Sequence, residues 1–500
     1  MSLNKIISGV GLIFLSGAIL TGCADKNISK NNSDVSASEK RVSKLAAAKK
    51  VLETNADIAL AAYSDSVDTA IALRDAIIDF KQKAAEVRKD PHNQEKIAAA
   101  EAAFEAAKKA WLVAREPYGQ TEVYRFRLSP IDSTNYKDED GPEGDINAWP
   151  LGEALIDYVL TGDDFGDDQV GVTENSIGDP IPSKITTANA IYPKNYKDTI
   201  IGSGVEINED LIAKTVTAED ERDVISGYHA IEFMLWGQDL NEDGTQPDDA
   251  NKPRDNTPGH RPLTDFTTDP NAERRFAYME VVVNKLIKDL KQVRDGWKKG
   301  APYREAFTSP KTQAEADMKI KEIFQGMGTL SEGELAGERM QIALVNNSQE
   351  DEHSCFSDNT HRDIWLNAEG VSNVWYGVYE GYDTDLDGKD DNHARAVKGY
   401  GLSQYIRTYG NPALADKLEQ KLAATEAGYK AIDKLARTGT PFDLQIKSVS
   451  HPDAAKVKET ILSLNAQAGV IQEVADDLGL GTVVDPEATE CNTADPDSPC

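Results

Sequence analysis

Apolar residues recur at three- and four-residue intervals through most of this chain, and the strict alternation of a half-buried strand is almost nowhere found. That period sets the fold class as all-α, because it lays apolar side chains along one stripe of a helix. EKRVSKLAAAKKVLETNADIALAAYSDSVDTAIALRDAIIDFKQKAAEVRKD and NQEKIAAAEAAFEAAKKAWLVAREPYG are rich in alanine, the strongest helix former. The first reads as two helices meeting near Ser64 or Asp65. Similar patterns return at NAERRFAYMEVVVNKLIKDLKQVRDGWKKG, KTQAEADMKIKEIFQGMGTLSEGELAGERMQIALVNN, NPALADKLEQKLAATEAGYKAIDKLAR and DAAKVKETILSLNAQAGVIQEVADDLG. Roughly equal halves suggest two four-helix-bundle-like domains, residues 43–268 and 269–480. The irregular stretch from Asp239 to Asp269 is the expected boundary, and residues 481–500 are the expected tail.

The N-terminus sets the expected location. A basic Lys5, an apolar run from Ile6 to Leu20 and the sequence Leu20-Thr21-Gly22-Cys23 have the order of a secretory signal, and the run is shorter than a membrane span. Small residues followed by Cys resemble a bacterial lipobox, so residues 1–22 are the expected signal and Cys23 the lipidation site; an ordinary signal with an incidental Cys is the alternative. Acyl chains on Cys23 would hold the protein to a membrane. Ala24 follows the Cys, where Asp would suggest retention in an inner membrane, so an outer-membrane anchor facing the periplasm is expected. Residues 23–42, rich in Ser, Asn and Lys, read as a flexible tether.

The formal charge of the chain is −31, which argues against nucleic acid or an anionic membrane surface as partner. It suits a metal cation or basic ligand, and equally a solvated acidic surface. The cysteines are Cys23, Cys355, Cys491 and Cys500, without CxxC spacing, so a thiolate zinc site is not expected. Cys491 and Cys500 fit a small disulfide loop in an oxidising compartment, leaving Cys355 buried.

Chemistry concentrates in two places. GYHAIEFMLWG sets His229 and Glu232 three residues apart on an otherwise apolar helix, hence on one face. A buried pair that satisfies itself is one reading; two ligands of a metal site is the other. QEDEHSCFSDNTH gathers Glu350, Glu352, His353, Asp358 and His361, and a polar helix cap with a solvated loop is its plain alternative. Imidazole with carboxylate suits iron, zinc or manganese. A hydrolytic zinc would need a third ligand, an open position and a general base, so a zinc-dependent metallopeptidase is the second reading. Separately, DTDLDG places Asp383, Asp385 and Asp387 like the first half of a calcium loop, although Ala394 stands where the bidentate Glu is expected. DLNEDG at Asp239 repeats the pattern. Calcium loops or acidic turns fit both.

GYHAIEFMLWG, together with WLVAREPYGQTEVYRF, DGPEGDINAWPLGEALIDYV and GERMQIALVNNSQEDEHSCFSDNTHRDIWLNAEGVSNVWYG, resembles the GxHxxE-containing imelysin-like family, in particular its iron-regulated protein A branch. The resemblance covers about residues 45 to 480. It implies two helical bundles related by a pseudo-twofold, an envelope protein linked to iron uptake, and a metal ion (iron or zinc) or metal-bearing ligand as partner. By it Arg115 and Glu122 line the site, with ion pairs on the bundle seam as the equal alternative. The family has been classed as peptidases from its HxxE motif; enzymatic turnover is not required by the residues. A third reading, a polysaccharide-binding helical module, would be favoured by a cleft rimmed with Trp149, Trp365 and Trp375.

Overall fold

The structure, a computed structural model, describes residues 32–159, 199–213, 224–244, 253–349, 351–485 and 488–500. Its main helices are α1 (Asn32–Lys89), α2 (Gln94–Gly119), α3 (Gly227–Trp236), α4 (Ala272–Gly296), α5 (Gln313–Thr329), α6 (Thr360–Tyr376), α7 (Pro412–Arg437) and α8 (Ala454–Asp477). Among the described residues the only strands are β1 (Val378–Tyr379) and β2 (Val397–Lys398), an antiparallel pair closing the loop that carries the acidic turn. The all-α expectation stands. No described helix is long and apolar enough to cross a membrane.

The expected break near Ser64 does not occur. Ala59, Tyr63, Ser66, Ala70, Leu73, Ile77, Phe80, Ala84 and Val87 alternate four- and three-residue steps and are all buried, so one stripe runs unbroken along α1. Ser64 at the expected break returns its hydroxyl to the Leu60 carbonyl (2.5 Å) in the preceding turn, as Ser66 does to Ala62 (2.8 Å) and Thr69 to Asp65 (3.0 Å). Asp65 accepts from the Tyr379 hydroxyl at 2.8 Å and pairs with Arg395 at 2.5 Å. The polar patch is a seam to the later half of the chain. α1 also starts at Asn32, within the segment read as a tether.

The helix after Asp269 packs with those before it. Phe80 of α1, Phe104 of α2, Phe266 and Phe276 of α4 form one aromatic cluster, with Phe80 4.7, 5.0 and 5.1 Å from the other three ring centroids. α3 lies against α2 and α4. The second packing group, α5 to α8, therefore begins after α4 and not at residue 269. The groups meet where α2 crosses α6. α5 continues into a π-helical segment, Leu330–Gln341.

The C-terminal tail is packed as well. Val483, Cys491 and Thr493 are buried, Cys491 and Cys500 are disulfide-bonded, and the Gln341 amide donates to the carbonyls of Asn492 (3.3 Å), Asp495 (3.3 Å) and Ser498 (3.2 Å). Cys355 is buried and outside any disulfide.

Candidate metal centre between the helix groups

Every residue of α3 is buried. Its first residue, Gly227, has φ +84°, and a Cβ there would collide with the Ile146 carbonyl, so only glycine starts the helix this close to its neighbour. His229 and Glu232 then share the face turned towards the loop before α6. His229 Nδ1 lies 2.9 Å from Glu232 Oε2, while Glu232 Oε1 accepts from the Ser357 backbone N–H (3.0 Å) and hydroxyl (2.7 Å). Glu232 is thus satisfied from both halves of the chain. His229 is not: its Nε2 is buried without a hydrogen-bond partner.

His353 stands edge-to-face on His229, ring centroids 4.9 Å apart, and on Trp149 at 4.5 Å. Its Nε2 is 3.2 Å from Asn147 Nδ2, which can only donate, so that nitrogen is the bare one and the proton is assigned to Nδ1. Nδ1 faces Asp363 Oδ2 at 3.3 Å without the alignment of a hydrogen bond. Asp363 accepts from Arg115 Nε (3.0 Å) and the Ser354 hydroxyl, and Arg115 donates to Asn147 Oδ1 (2.5 Å). Arg115, Asp363, His353 and Asn147 thus close a ring.

Burial sets the protonation states. It pushes His229 well below the ordinary imidazole range, with the Arg115 charge adding to it, and takes His353 to about 4, assisted by Arg339. Both rings are neutral near pH 7. Burial lifts Glu232 to about 8 against the Ser357 hydrogen bonds. Burial would lift Asp363 too, but Arg115 and His353 hold it far below the carboxylate range.

Glu153, His229, Glu232, Glu352, His353 and Cys355 line one small cavity beneath Trp149. Glu352 is 1 % exposed and neither carboxylate oxygen has a hydrogen-bond partner; the Thr360 hydroxyl faces it without closing a bond. Two ligand-type groups, His229 Nε2 and the Glu352 carboxylate, are therefore orphaned in one buried space. A buried orphan of this kind costs about 1–3 kcal/mol, more for a charged group.

The imelysin family model matches residues 59–471. The chain belongs to the imelysin family. A solved structure titled as a putative iron-regulated protein A precursor from Parabacteroides distasonis is similar, with 16 % identity, TM-score 0.50, and coverage of 86 % of this chain and 95 % of that one. An imelysin-like protein from Psychrobacter arcticum aligns at 16 % identity and TM-score 0.49, covering 88 % and 98 %. No curated protein sequence matches the chain.

In this imelysin chain the other expected site residues lie elsewhere. Glu122 is buried on the seam, bound to Arg339 (2.8 Å) and Arg125 (3.0 Å); burial would raise it, but Arg125 and Arg339 hold it at about 2. The Arg339 guanidinium that holds Glu122 sits 5.3 Å from the Trp149 ring, which covers the cavity. Asp358, in the left-handed region at φ +59°, lies by Asp443 and Arg254 and shares that acidic surrounding with Glu352. His361 bonds the Asp358 carbonyl (2.9 Å) and faces Asp433 at 3.5 Å. Glu350 and Cys23 lie outside the described residues.

Among the described residues, Asp383, Asp385 and Asp387 are the one trio of His, Cys, Asp or Glu whose ligand atoms all fall within 4.8 Å of one another. Of the expected site residues, His353 stands beside His229, while Glu122 and His361 bond elsewhere. In the acidic turn, Asp383 is fully buried and accepts the N–H groups of Asp385 (3.1 Å), Leu386 (2.6 Å) and Gly388 (2.6 Å). Its oxygens thereby build the turn itself.

Sequence reasoning missed Ser357, Asn147, Glu153 and Asp363. Their one signal was a polar residue within a segment otherwise apolar enough to be buried, as Asp363 and Asn367 are in HRDIWLNAEGV.

Proposed function

We propose that this imelysin-family protein is a lipid-anchored envelope protein that binds a metal ion or a metal-bearing ligand at the His229 cavity, in iron uptake or homeostasis. One observation carries the reading: His229 Nε2 and the Glu352 carboxylate, from opposite sides of the interface between the helix groups, line the same cavity and lack partners. A metal would be held by these two groups, with Glu153 beside them. Glu232 is a positioning residue, because its bond to Nδ1 turns Nε2 to the cavity, the usual arrangement behind a metal-binding imidazole. Neutral imidazole and carboxylate suit iron, zinc or manganese. The metal is cargo in this reading, and the iron connection draws on the iron-regulated title of the Parabacteroides structure.

The test is metal analysis of protein purified without chelators, comparing the native chain with His229→Ala and Glu352→Gln. Bound iron or zinc should be present in the native protein and depleted in both variants; equal metal content in all three overturns the reading. For the anchor, Cys23→Ser should release the protein from the membrane fraction. A variant that stays membrane-bound with a correctly trimmed N-terminus overturns the lipid anchor.

A further inference from the structure

An open groove of about 560 Å³ runs between α6 and α7, roofed by the acidic turn after β1. It shares no lining residue with the His229 cavity. Its volume is within the ordinary range for a small-molecule site.

The floor is aromatic. Trp365 and Tyr376 come from α6 and Tyr429 from α7. Tyr376 is 41 % exposed, unusual for so large an apolar ring, while Tyr429 is fully buried and its hydroxyl has no hydrogen-bond partner. The walls carry charge of both signs, and most of it is committed. Arg362 grips Glu116 through two bonds (2.9 and 2.5 Å), Lys430 holds Glu426 (2.5 Å) and Lys389 holds Asp387 (2.8 Å). The carboxyl groups of Glu369 and Asp390 meet each other, a contact that needs a shared proton.

These pairings select the class of ligand. An anion would have to displace Glu116 or Glu426 from its cation. A cation on the aromatic floor would meet Arg362 and Lys430, already 4.8 and 5.9 Å from the Trp365 ring centroid. What the groove offers is flat aromatic surface beside neutral donors and acceptors: the Tyr429 hydroxyl, the Glu369–Asp390 pair, Ser372 and Thr425. A sugar ring has the matching faces, C–H groups for an aromatic platform and hydroxyls for the rim.

We propose that the groove between α6 and α7 binds a neutral saccharide chain, with Trp365 and Tyr376 as platforms and the Tyr429 hydroxyl as a hydrogen-bond donor.

The experiment titrates the full chain, lacking its signal segment, with maltotriose, cellotriose and tri-N-acetylchitotriose, and with trigalacturonate as a charged control. Binding is read by saturation-transfer NMR and tryptophan fluorescence. At least one neutral trisaccharide should bind saturably. Trp365→Ala and the exposed Tyr376→Ala should each weaken it by about tenfold, comparable to losing an aromatic contact. Tyr429→Phe, which keeps the ring, should weaken it by roughly fivefold, the worth of one hydrogen bond. His229→Ala should leave binding unchanged, which separates this site from the metal cavity. Absence of saturable binding by all three neutral probes, preference for trigalacturonate, or native affinity in Tyr376→Ala and Tyr429→Phe would each overturn the proposal. Circular dichroism of each variant confirms that the fold is intact.

Discussion

His229 and His353 stand edge-to-face with ring centroids 4.9 Å apart, one ring from α3 and the other from the loop before α6. Neither ring is charged near neutral pH, because burial removes the water that would solvate an imidazolium. The same burial leaves Glu232 protonated up to about pH 8. The two imidazoles and Glu232 are therefore neutral at pH 7 while Arg115 and Asp363 beside them stay charged and paired, and a cation entering the cavity would meet no like charge from the two rings.

This makes Glu232 a pH-dependent burden on the metal-free fold. Its folded value, about 8, lies above its ordinary 4.5, so the stability it contributes is complete below pH 4.5 and is lost as pH rises towards 8. The loss runs at about 1.4 kcal/mol per pH unit in that window. Glu232→Gln cannot ionise. In urea titrations of chelator-treated protein, its stability relative to the native chain should improve steadily from pH 5 to 8. A constant difference across that range would show that Glu232 is already ionised in the folded state.

Metal binding should release a proton. Glu232 is protonated at pH 7, and a cation on the His229 ring favours its ionised form. Affinity should therefore rise with pH, because Glu232 and the ligand Glu352, which burial and its acidic neighbours push well above the ordinary carboxylate range, both have to ionise. Calorimetry at pH 7 in buffers of different ionisation enthalpy measures the proton count directly. A count of zero in the native protein would contradict the assignment, while Glu232→Gln should bind with fewer protons released.

The Arg115–Asp363 pair should carry a large share of the interface's stability. Both side chains are within 1 % of complete burial, and Arg115 Nε donates to Asp363 at 3.0 Å. Breaking a buried pair from one side costs about 3–5 kcal/mol, whereas replacing both partners with apolar residues is often nearly neutral. Asp363→Asn should accordingly lower stability by several kcal/mol, and Arg115→Met with Asp363→Leu should recover most of it. Chemical denaturation of the native chain and the two variants checks this; a single-site cost below about 1 kcal/mol would refute it.

What was legible in the sequence is what periodicity and spacing encode. Apolar period marked the long helices, and the three-residue spacing of His229 and Glu232 marked a shared face. That His353 of the second cluster stands beside His229 is a matter of packing that spacing does not encode. Periodicity is silent on which helices share a core, which is why α4 was assigned across the boundary from the Phe80 cluster that holds it. It also misread Ser64 and Asp65 as a break, because polar residues on a helix face another helix as readily as water. Asp358 and His361 looked like site residues by composition, but the left-handed turn at Asp358 brings its carbonyl to His361, whose ring then faces Asp433. Backbone geometry of that kind leaves no trace in residue spacing.

Hydrolysis of peptides should be absent. A catalytic zinc needs three protein ligands and a free base beside the open position. Here Glu232 has one oxygen on His229 and the other on Ser357, and among the described residues no three ligand atoms converge at this cavity. Incubation with unfolded casein and added zinc should give no chelator-sensitive cleavage above background. Robust cleavage lost in a folded Glu232→Ala variant would reverse this conclusion.

Close packing of the C-terminal tail on the π-helical segment rests on two glycines. A Cβ at Gly333 would come within 2.7 Å of Ala488 Cβ, and one at Gly337 would collide with the Thr489 side chain. Threonine is stiff at its first side-chain torsion, so Thr489 cannot swing aside without moving the backbone. Two effects compete in Gly337→Ala. Helix propensity favours alanine by about 1 kcal/mol. Overpacking a tight contact costs about 1–3 kcal/mol, and with a β-branched neighbour the cost wins. Gly337→Ala should therefore lower stability and speed proteolysis around the Cys491–Cys500 loop, and Thr489→Gly in the same chain should restore both. If Gly337→Ala alone raises the unfolding midpoint, the tail is not held as the structure describes.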